Sequence, residues 1–121
     1  MRIDHVNIRC SDMDATRDFL VRVMGLAVGH RPPFTSTGYW MTDETGRACA
    51  HLVPARVPLN TSGAVDHVAF YFDDLAEQVG RMEREGYPIA LRAVADTGLL
   101  QGFIEGPDSL KYEIQGPATT V

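Results

Sequence analysis

The sequence predicts an α+β fold: two βαβββ modules that form a cupped mixed sheet with the helices on its outer face. Three observations lead there. The chain repeats itself at an offset of 62 residues: Asp4-His5-Val6 returns as Asp66-His67-Val68, and Cys49 to Val53 lies over Lys111 to Gln115. Each half opens on an alternating apolar and polar run, the period-2 signature of a half-buried strand. That run passes into a helical pattern closed by a glycine, Gly25 in the first half and Gly86 in the second. Repeats are sought first because a missed one misreads the whole fold.

In the first half, Val6, Ile8 and Cys10 alternate with His5, Asn7 and Arg9, so the two sets face opposite sides of one strand. Ser11 or Asp12 is placed to cap the next helix by accepting from its free amide groups. Thr16, Phe19, Leu20, Val23 and Met24 share one face of that helix at helical spacing. Gly25 supplies the left-handed residue that ends it. Strands are then expected at 27–31, 38–42 and 47–53. The second half repeats the order, with a strand at 65–72, a helix at 74–85 on Leu75, Val79 and Met82, and strands at 89–93, 98–105 and 109–115. A Pro, Asn, Thr, Ser and Gly-rich stretch from Pro54 to Gly63 reads as a linker. The 121 residues are expected to form one domain, with module one at about 1–53 and module two at about 64–116.

Composition narrows the function. An apolar content of 45% is enough for a core, although a small one if each half stood alone. The net charge of -5 provides no basic patch for nucleic acid or an anionic membrane. No apolar run is long enough to span a bilayer, and the polar, alternating amino terminus does not read as a signal peptide. The expected location is the cytoplasm, where Cys10 and Cys49 would be free thiols. The partners expected are a small-molecule substrate and a second copy of the chain, since each module leaves a sheet edge open.

Four residues occupy matched places in the repeat. His5 and His51 are 46 residues apart, as are His67 and Glu113. Each is out of phase with the core residues of its strand, so all four are expected on the sheet face away from the helices. Imidazole and carboxylate donors suit a divalent transition metal: Fe, Ni, Mn, Co or Zn. Two histidines and one glutamate also form the facial triad that leaves coordination positions open to substrate. Asn7, Cys49, Tyr71 and Lys111 share the phase of these ligands and are candidate pocket residues. Tyr39 and Trp40 are read as core or wall, and His30, before the stiff Arg31-Pro32-Pro33-Phe34 loop, as a surface histidine.

The stretches His5-Val6-Asn7-Ile8-Arg9, Ala15 to Leu20 and Met24-Gly25-Leu26 resemble the amino-terminal signature of glyoxalase I. They depart from it mainly at Cys10 and Leu20. Nearly the whole chain is similar to the vicinal oxygen chelate superfamily, which spans glyoxalases, bleomycin-resistance proteins and extradiol dioxygenases. That resemblance implies His5, His67 and Glu113 as metal ligands, with Glu113 also the candidate catalytic base. His51 falls where glyoxalase I and related epimerases carry a fourth ligand, usually Glu or Gln, which argues against lactoylglutathione lyase chemistry in the strict sense. Arg9 matches an arginine that binds a substrate carboxylate, with Asn7, Tyr71 and Lys111 beside it as substrate contacts. The reaction implied is lyase, isomerase or epimerase chemistry, removing a proton beside a carbonyl.

Two other readings stand beside it. An Fe(II) or Mn(II) extradiol-type dioxygenase is the first, but Phe103 takes the place of that family's tyrosine and no histidine follows His67. The second is a metal-free protein of the bleomycin-resistance kind that sequesters a small molecule.

Overall fold

A computed structural model of the chain describes residues 1–59, 65 and 67–121, so Asp66 and the linker residues 60–63 lie outside the described part. The chain divides into two compact units, Met1–Asn60 and Thr61–Val121. Both have the predicted α+β character, a four-stranded mixed sheet and one helix each.

In the first unit β1 (Val6–Cys10) leads into α1 (Met13–Arg22), then β2 (Ala27–Val28), β3 (Tyr39–Thr42) and β4 (Ala48–Pro54). The sheet order is β1-β4-β3-β2, with β1 parallel to β4 and the other neighbours antiparallel. Asp12 caps α1, its carboxylate accepting from the Ala15 amide at 3.0 Å. A cap of this kind contributes about 0.5–2 kcal/mol. Gly25 closes the helix at a φ of 80°. The core lies between helix and sheet: Phe19 and Leu20 meet Ile8, Cys10, Met41, Ala50 and Leu52, all buried. Those sheet residues have one parity, which turns the other parity away from the helix.

The second unit repeats the plan. β5 (Val68–Tyr71), α2 (Leu75–Arg84), β6 (Arg92–Val94), β7 (Leu99–Glu105) and β8 (Lys111–Pro117) form a sheet of order β5-β8-β7-β6. Asp74 caps α2 through the Glu77 amide at 3.0 Å, 62 residues on from Asp12. Leu75, Met82, Tyr112 and Ile114 are fully buried.

Two strands differ from expectation. β2 stops at Val28, where Gly29 runs against the Thr42 side chain. The ladder of β6 begins at Arg92 rather than Ile89. Ahead of it the chain presses on Gly102, where a β-carbon would lie 2.7 Å from the Ala90 carbonyl oxygen and from the Ile89 side chain. Tertiary crowding sets both limits, and apolar alternation carries no trace of it.

Gly116 permits another close approach. A β-carbon there would collide with the Phe72 backbone carbonyl and sit 3.1 Å from Leu75 Cβ. Backbone cannot yield as a flexible side chain does. Gly116→Ala is therefore expected to destabilise the protein by about 1–3 kcal/mol, read as a lower midpoint in urea with an unchanged slope.

Candidate functional site

Each unit brings its two candidate ligands together on the sheet face away from the helix. In the first unit β1 lies parallel beside β4 with Asn7 opposite His51, and β3 lies on the other side with Trp40 opposite His51. His5 immediately precedes β1, two residues from Asn7, and so falls on the same face. Its ring stacks on that of His51 with centroids 3.8 Å apart and planes 13° apart. The indole of Trp40 covers the other side of His51 at 4.2 Å and 9°. His51 is thus an imidazole sandwiched between two rings, with Phe34 tilted against Trp40 at 6.0 Å.

Polar contacts hold the strand entry that carries His5. Its Nδ1 is 2.8 Å from Asp4 Oδ2. Arg47 donates to the backbone carbonyls of Ile3 at 2.7 Å and Asp4 at 2.6 Å, tying this segment to the start of β4. The hydrogen bond from His5 holds the Asp4 carboxyl below its usual range. Burial, followed by the neighbouring His5, lowers the His51 imidazole from its usual 6.5. A neutral imidazole keeps the lone pair that a metal or a proton would use.

In the second unit β5 and β7 flank β8, with Ala69 and Phe103 both opposite Glu113. His67 immediately precedes β5, and its Nε2 lies 2.8 Å from Glu113 Oε2. Glu113 is only 8% exposed although it faces away from the helix. The ring of Phe103 meets His67 edge-on at 5.4 Å, and Lys111 Nζ stands over that same ring at 5.5 Å.

The remaining candidates fall around these pairs. Asn7 and Arg9 are exposed on the face of His5, Arg9 opposite Val53. Tyr71 is exposed on the face of Glu113, opposite Gln115. Lys111 is exposed at the start of β8, opposite Glu105. Cys49 is the extra residue of a β-bulge, since Met41 pairs with Ala50 and Thr42 with Ala48. Its thiol is directed to the Met41 carbonyl at 3.7 Å and is pushed up by burial. Both cysteines are free. Tyr39 binds Arg17 and Asp14 on α1, away from this face, and His30 is exposed.

Trp40 and Phe103 have roles the sequence did not disclose. They are counterparts, each directly opposite the ligand candidate of the last strand, yet they are 63 residues apart rather than 62. The bulge at Cys49 accounts for the extra residue and hides the match from a search at the repeat offset. Counting outward from His51 and Glu113 through each hairpin would have found it.

Among the described residues, no group of three or more His, Cys, Asp or Glu side chains is gathered closely enough to hold a metal. The donors present do suit one: two imidazoles in one unit, an imidazole and a carboxylate in the other, each pair on a single sheet face. No helix among the described residues is long and apolar enough to cross a membrane.

Residues 2–114 match the family described as the Glyoxalase/Bleomycin resistance protein/Dioxygenase superfamily. No curated protein matches the chain. Among solved structures it is similar to TnmS3, an antibiotic binding protein from Streptomyces sp. CB03234, at 17% identity and a TM-score of 0.72, over 98% of this chain and 97% of that one. It is similar to TioX from Micromonospora sp. ML1 at 24% identity and a TM-score of 0.69, over 94% of each chain. The fosfomycin resistance protein FosX from Listeria monocytogenes is 13% identical with a TM-score of 0.71, over 98% of this chain and 94% of that one. At these identities the likeness is one of fold.

Proposed function

The chain belongs to the Glyoxalase/Bleomycin resistance protein/Dioxygenase superfamily, and from that premise we propose a metal-dependent enzyme acting on a small substrate with two neighbouring oxygens. One observation carries this reading. In each unit the two candidate ligands lie together at the same topological place, at the entry of the first strand and in the middle of the last. Two unrelated surface histidines would have no reason to repeat that placement with a nearly buried glutamate.

In this reading His5, His67 and Glu113 hold a divalent metal, with His51 beside them. When bound, the metal supplies Lewis acidity toward an oxyanion of the substrate. The chain's own residues do the rest. Glu113, the one carboxylate of the set, accepts the proton beside a substrate carbonyl, and the partner at 2.8 Å, His67, orients it. Arg9 and Lys111 attract an anionic substrate group, and Asn7 and Tyr71 offer hydrogen bonds at the margins. Trp40 and Phe103 present apolar rings that keep water from the ligands. The reaction class is lyase, isomerase or epimerase chemistry. Dimer formation, the single domain of 1–121 and a cytoplasmic location belong to the same proposal.

The first test is elemental analysis of protein purified anaerobically, wild type against His67→Ala. Near-stoichiometric Fe, Ni, Mn, Co or Zn is expected in the wild type and its loss in the variant. Iron would move the reading toward the dioxygenase. A wild type that takes up no metal even after reconstitution would sink the enzyme proposal.

A second reading has its own observation. Phe34, Tyr71 and Phe103 are large apolar rings left exposed, at 53%, 54% and 43%. Such surfaces suit a protein that sequesters a flat molecule, and TnmS3 is described as binding an antibiotic. Metal-free protein that binds such a ligand would favour it.

A further inference from the structure

The stacked histidines bear on which residues hold the metal. A histidine ligand offers a lone pair in its ring plane, so the metal sits in that plane about 2.0–2.1 Å from the nitrogen. The rings of His5 and His51 are 3.8 Å apart and only 13° from parallel. Planes so related converge far beyond ligand reach, so these two rings, as stacked, cannot both bind one metal. One of them must leave the stack.

The surroundings decide which. His51 lies within β4, hydrogen-bonded strands on either side, with its ring covered on one face by His5 and on the other by Trp40 at 4.2 Å. Turning it gives up both stacks. His5 is the end of the ladder, ahead of β1, with its side chain 36% exposed and Asp4 on its Nδ1. Turning it gives up one stack, and Asp4 can keep that nitrogen protonated while Nε2 is free to bind.

We propose that His5 is the ligand contributed by the first unit and that His51 is not a ligand. His51 stays clamped by Trp40, a positioning residue, and offers its ring nitrogen to the substrate as a hydrogen-bonding group. The inference rests on the metal-dependent reading and assigns a division of labour within it. It also makes Trp40 a reporter, because the chain has no other tryptophan.

The experiment is a Zn²⁺ titration of the full chain by calorimetry, following Trp40 emission in parallel, on wild type, His5→Ala, His51→Gln and His67→Ala. Circular dichroism checks the fold of each variant. Wild type and His51→Gln are expected to bind one Zn²⁺ per chain with Kd values within about tenfold, whereas His5→Ala and His67→Ala weaken it by more than about 100-fold. The wild-type Trp40 emission maximum is expected to stay in place as Zn²⁺ binds. Loss of Zn²⁺ in a folded His51→Gln, comparable to that in His67→Ala, would overturn the inference and leave the metal reading intact. So would a Zn²⁺-dependent emission shift in wild type that His51→Gln abolishes. This measurement on unaltered protein decides the matter even if the variant does not fold. A wild type that binds no Zn²⁺ overturns both.

Discussion

Glu113→Gln is expected to weaken divalent-metal binding by more than about 100-fold while leaving the fold unchanged. Glutamine has the shape of glutamate and keeps an acceptor for the His67 N–H that now meets Oε2 at 2.8 Å. Packing between Tyr112 and Ile114, both fully buried, is therefore preserved. What disappears is the charge, and with it the anionic donor and the base of the proposed site. Outer partners of metal ligands already cost 10–100-fold when removed, so a ligand itself should cost more. Loss of a general base lowers turnover by about 10²–10⁴-fold. Calorimetric metal titration, with circular dichroism to verify folding, separates these effects. A glutamine variant that binds metal like wild type would remove Glu113 from the ligand set and with it the facial triad.

The repeat made most of this visible before any coordinates. The offset of 62 places both helix caps, Asp12 and Asp74, and both buried strand residues, Leu52 and Ile114, in register. Strand parity placed His5, His51, His67 and Glu113 away from the helices, because a period of two leaves a side chain only two directions. What stayed hidden depends on contacts across strands. The stack of His5, His51 and Trp40 arises from neighbours in the sheet that are distant in the chain. Arg47 reaches the carbonyls of Ile3 and Asp4 across more than 40 residues of sequence. Alternation treats Trp40 as one more apolar strand residue, although it lies on the face of His51 while its neighbour Tyr39 reaches toward α1. The limits of β2 and β6 were missed for the same reason: the crowding at Gly29 and Gly102 is tertiary.

Leu52→Ala and Ile114→Ala should have the largest effects on stability, and of similar size. The residues are 62 positions apart, both fully buried, each on the last strand of its unit and facing the helix. Removing such a side chain forfeits its transfer free energy and leaves a cavity that the surrounding sheet and helix close only partly. The usual cost is about 2–5 kcal/mol, a large share of the roughly 5–15 kcal/mol that holds a domain folded. Each residue also adjoins a proposed site residue, His51 or Glu113, on the opposite face of the same strand. A strand that settles into the cavity carries its neighbour with it. Both variants should therefore lose metal affinity as well as lowering the urea midpoint, even though neither side chain lies on the site face. If the midpoint falls while metal affinity stays at the wild-type value, the two faces of the strand are mechanically independent, and the site owes its geometry to the stack and the His67–Glu113 pair alone.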